Sequence, residues 1–171
     1  MSKLVALLVS VVTLINTPII TQDEKEAIMA RAWQESSDEI RQELPLEYQA
    51  YACGMTAHEF EYLARTIEAE SDRTDSLDGK IHICAVILNR VASDRFPDTI
   101  QGVLDQDGQF TTTSGGWCST PYTESSRWSI VLCQREMAQG NIPDNLLFFN
   151  CVGYNYGTPY GYIDGNYFML G

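Results

Sequence analysis

Basic residues are scarce in this chain: 11 Lys and Arg stand against 23 Asp and Glu, for a formal net charge of −12. That balance argues against nucleic acid or an anionic membrane surface as the main partner, because both need clustered cations to bind. Histidine is scarcer still, with only His58 and His82. The five cysteines, Cys53, Cys84, Cys118, Cys133 and Cys151, include no C-x-x-C pair. A zinc centre needs several converging nitrogen or sulfur ligands, and this supply does not favour one. An odd cysteine count leaves at least one thiol unpaired in a monomer. Cys84 and Cys133 sit in apolar helical runs and read as core. Cys53, Cys118 and Cys151 lie in turn-like surroundings and could pair in an oxidising compartment. Internal repeats are lacking too. What is present is 171 residues with 44% hydrophobic and 20% charged content, enough for one domain of ordinary size with a real core.

Residues 1–20 read as a signal peptide or signal anchor. Lys3 precedes the apolar run LVALLVSVVTLINTPII, the order of a secretory signal. The run is near the lower limit for a membrane span, and Asn16 and Pro18 interrupt its end. No clear small-x-small cleavage site follows, so attachment to a membrane through residues 4–20 is the alternative to release. Either way the remainder is expected to face outward from the cytoplasm. Residues 21–54 form a charged helical or linker segment, with a thin apolar seam of Ile28, Ala32, Trp33 and Ile40 broken at Pro45. Residues 55–171 read as the main domain.

Within that domain, Thr56 to Glu70 reads as one amphipathic helix. Thr56 and Glu59 have capping-box spacing. Phe60, Leu63, Ala64 and Ile67 fall at i, i+3, i+4 and i+7 and make one apolar stripe. At about 100° per residue, Glu70 lies only about 20° round the helix from Leu63, on the shoulder of that stripe. Glu68 lies on the opposite shoulder and Glu61 outside it. Glu70 is therefore the acid best placed to sit half in the core. Desolvation there raises a carboxyl's pKa and keeps it protonated near neutral pH, as a general acid requires. The competing reading is a solvated acid near a helix end.

Ser71 to Lys80 reads as a loop. A second helix is expected from Ile81 to Phe96, apolar nearly all round from Ile81 to Leu88 and so buried. Asp98 or Thr99 would cap a short helix, TIQGVLDQ. Asp107 to Gly116 looks like a short hairpin or a loop lining a cleft. Thr123 to Gln139 is a third long helix, with Gly140 as its stop and a seam of Trp128, Val131, Leu132 and Arg135. Leu146–Asn150 and Asn166–Leu170 read as short strands, and CVGYNYGTPYGYIDG between them as an irregular loop. The fold class is α+β, mainly helical, with a small β element.

Several of these stretches, taken in order, resemble the SleB-type cell wall hydrolases, the spore cortex-lytic enzymes and their relatives. They are LARTIEAE ending at Glu70, AVILNR (85–90), FPDTIQGVLDQ (96–106), GQFTT (108–112), Phe148-Phe149-Asn150, and Gly165-Asn166-Tyr167-Phe168 near the close. The order and approximate spacing hold from about Glu59 to Phe168. The chain departs from the family pattern after Glu70, where A-E-S-D replaces A-E-A-R, and at Tyr167, which replaces a histidine. Residues 115–123, with Trp117, Cys118 and Tyr122, fall outside that pattern.

The resemblance implies a lysozyme-like transglycosylase domain over 55–171 that cleaves peptidoglycan between N-acetylmuramic acid and N-acetylglucosamine. Glu70 matches the family's catalytic glutamate. No metal or organic cofactor is expected. Gln109, Thr111 and Thr112 can hydrogen-bond acetamido and hydroxyl groups. Phe110, Phe149 and Tyr154 offer ring faces to sugars, and Asn150 completes the expected substrate-binding set. Asn89 is read as a helix-end hydrogen bond instead. Three rivals remain. A water-using muramidase would need a second carboxylate from Asp72, Asp75, Asp105 or Asp107. An N-acetylmuramoyl-L-alanine amidase would usually need zinc, and an inactive wall-binding protein would bind glycan without turnover. The expected partner is peptidoglycan, the expected state a monomer, and the expected location secreted or membrane-anchored facing the wall. A spore enzyme, a vegetative enzyme and a phage endolysin all fit.

Overall fold

The computed structural model describes residues 21–71, 76–110 and 112–171. The expected signal segment, Thr111, Asp72 and Asp75 lie outside the described residues. The chain divides into two compact units, one ending at Ala57 and the other running from His58 to Gly171.

In the first unit three helices are described: α1 (Gln22–Glu35), α2 (Asp38–Glu43) and α3 (Leu46–Ala52). Thr21 and Glu24 form a reciprocal capping box at the start of α1. Met29, Leu44 and Tyr48 form a small core, with Ala32 and Trp33 packed against it. The expected seam is thus shifted: Met29 is its buried centre, while Ile28 and Ile40 are half-buried. Gln49 closes the unit by donating to the carbonyls of Arg41 and Gln42, at 2.9 and 3.0 Å.

The second unit starts with α4 (Ala57–Glu70), whose first residue is the unit boundary. The apolar stripe faces the core: Phe60, Leu63, Ala64 and Ile67 are fully buried. Helix α5 (Leu77–Ala92) is the centre of the unit and packs against the later elements α6, α7 and β3. Five consecutive residues, Ile83 to Ile87, are completely enclosed. Its boundaries differ from expectation at both ends. Ser76 caps it by accepting the Gly79 N–H, and Asp164 accepts that N–H as well, at 3.0 Å. Lys80, expected in a loop, is a fully buried helical residue. The helix ends at Ser93 rather than Phe96, because Ser93 turns extended with its N–H bonded to the Arg90 carbonyl.

Helix α6 (Ile100–Leu104) is capped by Thr99. The hairpin forms later than the sequence suggests, as β1 (Thr113–Ser114) and β2 (Trp117–Cys118). Gly115 and Gly116 make its turn with φ of 57° and 78°, a region glycine enters at little cost. Helix α7 (Glu124–Ala138) starts from the expected Thr123 cap. Its buried face includes Trp128, Ile130, Leu132 and Cys133, whereas Arg135 is exposed. A three-stranded antiparallel sheet closes the chain in the order β3 (Leu146–Asn150), β5 (Asn166–Leu170), β4 (Thr158–Ile163). Strand β4 replaces part of the expected loop. The Asp164-Gly165 turn, with φ of 48° and 84°, has the two positive-φ residues of a tight hairpin connection.

Two side chains at the end of α5 hold the sheet to it. Asn89 donates to the carbonyls of Pro143 and Leu146, at 2.9 and 3.1 Å. Arg90 Nε donates to the Leu147 carbonyl at 2.8 Å. The helix-end role read for Asn89 is thus a bond across to the approach of β3.

Candidate active site

Glu70 is the last residue of α4, and the core stripe of that helix draws its carboxyl inward. The side chain is half-buried, and desolvation pushes its pKa above the ordinary carboxyl value. It opens on a cleft of about 360 Å³. Ala69, Glu70, Arg90 and Gln109 line one part of it; Phe110, Phe149, Asn150, Cys151 and Asn166 line the rest.

Glu68, two residues earlier, has the opposite fate. Burial is the largest single influence on it and acts upward. Hydrogen bonds from Ser126, Thr123 and Lys80 together outweigh that, and its carboxylate is held below the usual range. Its Oε2 accepts from Thr123 Oγ1 at 2.7 Å, Thr123 N at 3.2 Å, Lys80 Nζ at 3.2 Å and Ser126 Oγ. Glu68 thereby fastens the end of α4 to the start of α7 and to buried Lys80 on α5. One helix end carries two carboxyls whose environments drive their pKa values apart. Hydrogen bonds and Lys80 favour the Glu68 anion, and desolvation makes Glu70 hold its proton more tightly than a free carboxyl does.

Arg90 is 4% exposed, and desolvation lowers its pKa to about 10, so it keeps its charge at neutral pH. Its guanidinium lies 5.0, 5.8 and 5.9 Å from the ring centres of Phe96, Phe110 and Phe148. Nη1 donates to Gln109 Oε1 at 3.2 Å. That bond orients the Gln109 amide, leaving its NH₂ as the free end. Asn150 Oδ1 accepts the backbone N–H groups of Val152 and Gly153, at 2.8 and 2.9 Å. Its Nδ2 is buried and meets no acceptor, an unmet donor at the cleft wall.

Of the site residues read from the sequence, Glu70, Gln109, Phe110, Phe149 and Asn150 are brought together in this cleft. Thr112 and Tyr154 are not part of its lining. Thr112 is exposed, and Tyr154 stands edge-on to Tyr167 with ring centres 5.0 Å apart. Sequence reasoning missed Arg90, Cys151 and Asn166. Arg90 had a signal, a cation directly after a buried apolar helix run, and Asn166 lies in the closing Gly165-Asn166-Tyr167-Phe168 stretch; nothing local marked Cys151.

Among the rival carboxylates, Asp105 is engaged away from the cleft. It accepts from Tyr62 Oη at 2.7 Å and from Gly116 N at 2.8 Å. Asp107 is exposed and does not line the cleft. The hairpin and the segment after it pack on α4 instead: Arg65 donates to the Thr120 carbonyl at 3.0 Å and lies 4.5 Å from the Trp117 ring centre.

Residues 74–156 match the cell wall hydrolase family. Glu70 precedes that segment. The spore cortex-lytic enzyme of Bacillus cereus is 30% identical over 78 residues, covering 46% of this chain and 30% of that protein. The spore cortex-lytic enzyme of Oceanobacillus iheyensis is 33% identical over 63 residues, covering 37% of this chain and 22% of that protein. The chain thus spans less than a third of the length of these relatives. The catalytic domain of the Bacillus cereus SleB protein superposes with a TM-score of 0.55 at 21% identity, over 67% of this chain and 91% of that domain. The catalytic domain of the germination-specific lytic transglycosylase SleB from Bacillus anthracis gives 0.56 at 22%, over 68% and 97%. Sequence match and architecture agree: residues 74–156 are similar to the cell wall hydrolase family, and the chain has a mainly helical, lysozyme-like fold with a small antiparallel sheet, as in the SleB catalytic domains.

Proposed function

We propose that this protein is an enzyme that cleaves the glycan strands of peptidoglycan, between N-acetylmuramic acid and N-acetylglucosamine, as a lytic transglycosylase with Glu70 as its acid and base. The observation that carries this reading is the half-buried Glu70 carboxyl, with its raised pKa, on a cleft where it is the sole carboxyl among the described lining residues. A glycosidase that uses water normally needs two carboxyls. With one, the muramoyl 6-hydroxyl can serve as nucleophile, because it is held in the same molecule and attacks at high effective concentration. Glu70 protonates the departing glycosidic oxygen, and the 6-hydroxyl closes on the anomeric carbon. The resulting carboxylate takes up the hydroxyl proton, leaving a 1,6-anhydromuramoyl end. The hydrogen-bonding groups of Gln109 and Asn150 and the rings of Phe110 and Phe149 hold the sugars. The residue range 55–171 is the catalytic domain in this reading. Residues 1–20 deliver it to the wall side of a membrane, released or anchored.

The test is digestion of purified peptidoglycan by the full chain and by Glu70→Gln, with product ends identified by mass spectrometry. Anhydro ends from the wild type, and turnover about 10²–10⁴-fold lower in the variant, are expected. Reducing ends would assign a water-using muramidase, and released stem peptides an amidase; either refutes the reading.

A further inference from the structure

The cleft does not end at Asn150. A second cavity of about 290 Å³ is lined by Arg90, Gly108, Gln109, Phe148, Phe149, Asn150 and Tyr156. Four residues, Arg90, Gln109, Phe149 and Asn150, line both cavities. The two are therefore compartments of one groove, with Glu70 in the first and Tyr156 in the second. Arg90, Gln109 and Asn150 stand at the waist between them.

The waist is rich in donors. Arg90 uses Nε on the Leu147 carbonyl and Nη1 on Gln109, and no carboxylate among the described residues pairs its charge. Gln109 spends its carbonyl on Arg90 and offers its NH₂. Asn150 spends its carbonyl on two backbone N–H groups, and its Nδ2 lacks an acceptor. A buried cation without a counter-charge is costly, and so is a buried donor without an acceptor. Ring faces and a carbonyl offset part of that cost for Arg90, but none of them neutralises it. A ligand anion would. The chain as a whole, with its net charge of −12, offers an anionic glycan little attraction, so a local cation decides where such a ligand seats.

Resting on the proposed glycan-cleaving activity, we propose that Arg90, with Gln109 and Asn150, forms an anion-accepting subsite that takes a carboxylate of a muramoyl unit in the groove. Two carboxylates have the required chemistry: the lactyl group of a peptide-free muramoyl sugar and the carboxylates of an attached stem peptide. Arg90 thereby selects muramoyl-containing strands over uncharged polymers of N-acetylglucosamine.

The test measures binding by calorimetry with full-length Glu70→Gln, which removes turnover. The probes are equal-length oligosaccharides: peptide-free strands with free lactyl carboxylates, the same strands converted to methyl amides, stem-bearing strands, and chitin oligomers. A carboxylate-bearing strand should bind about tenfold tighter than the methyl amide and the chitin oligomer, with the advantage shrinking as salt rises. Tight binding of the peptide-free strand assigns the lactyl group, and tight binding of the stem-bearing strand alone assigns the stem. Adding Arg90→Gln should abolish the preference while leaving residual binding. Equal affinity for the free, amidated and stem-bearing strands overturns the subsite, and does so without any Arg90 variant. So does a preference that survives in a folded Arg90→Gln. A wild type that fails to cut any strand while the preference persists refutes the reaction and leaves the subsite standing. Absence of binding to every probe refutes both.

Discussion

The junction of Glu68 with Lys80, Thr123 and Ser126 makes a quantitative demand on the fold. Lys80 is fully buried, and Glu68 keeps 20% of its side chain in water. Replacing Glu68 by Gln preserves shape and an acceptor oxygen but withdraws the negative charge that meets the Lys80 ammonium at 3.2 Å. Removing one partner of a buried ion pair costs about 3–5 kcal/mol, and Lys80 keeps its bond to Thr123 Oγ1 at 3.3 Å. The partial exposure of Glu68 places this case near the lower end, about 3 kcal/mol. For a chain of this size, that lowers Tm by about 6–12 °C. Calorimetry and urea unfolding at neutral pH, on the wild type, Glu68→Gln, Lys80→Met and the double variant, form a complete cycle. The double variant should recover much of the loss, because replacing both members of a buried pair is far less costly than stranding one. A single-variant loss below about 1 kcal/mol, or a double variant as unstable as the sum of the singles, would refute the reasoning. The lowered pKa of Glu68 sets the pH window. Its contribution is present above the ordinary carboxyl value of 4.5 and is lost as pH falls through the still lower folded-state value.

Glu70 titrates with the opposite sign. Its folded-state pKa is raised, so ionisation destabilises the fold, and Glu70→Gln should match the wild type below pH 4.5 and grow more stable than it as pH rises; a stability difference independent of pH sinks this, and kcat should likewise decline as Glu70 loses its proton. Cys151 is the exposed cysteine of the five and lines the cleft, whereas Cys53, Cys84, Cys118 and Cys133 are buried. One equivalent of a bulky maleimide should therefore stop glycan turnover in the wild type and spare Cys151→Ser; labelled protein that retains full turnover would place the substrate elsewhere. Asn89→Ala strips a shared donor from the carbonyls of Pro143 and Leu146, and a loss of about 1–3 kcal/mol is expected in urea unfolding. An unchanged midpoint would mean that those carbonyls find other partners.

Helix α4 and the inward lean of Glu70 were legible in the sequence because both follow from a 3.6-residue period acting within fifteen residues. The caps at Thr99 and Thr123 are equally local, since a side-chain oxygen meets a backbone N–H three positions on. The burial of the α5 centre was legible from a run with no polar face. Ordered family stretches from Glu70 onward carried the likeness to cell wall hydrolases, and with it the expectation of a lysozyme-like fold.

Tertiary structure alone decided the rest, because the forces involved join residues far apart in the chain. Lys80 reads as a loop cation until Glu68 and Thr123 converge on it. Strand β4 looks irregular in composition and becomes a strand only by pairing with β5. Its tight connection was hidden among glycines and tyrosines. Arg90 reads as the polar end of a helix, and enters the groove only because β3, 57 positions later, supplies the carbonyl that fixes it. Cys151 and Asn166 reach the cleft through the β3–β5 pairing, which no local spacing encodes. Local rules placed the acid, and long-range pairing built the groove around it.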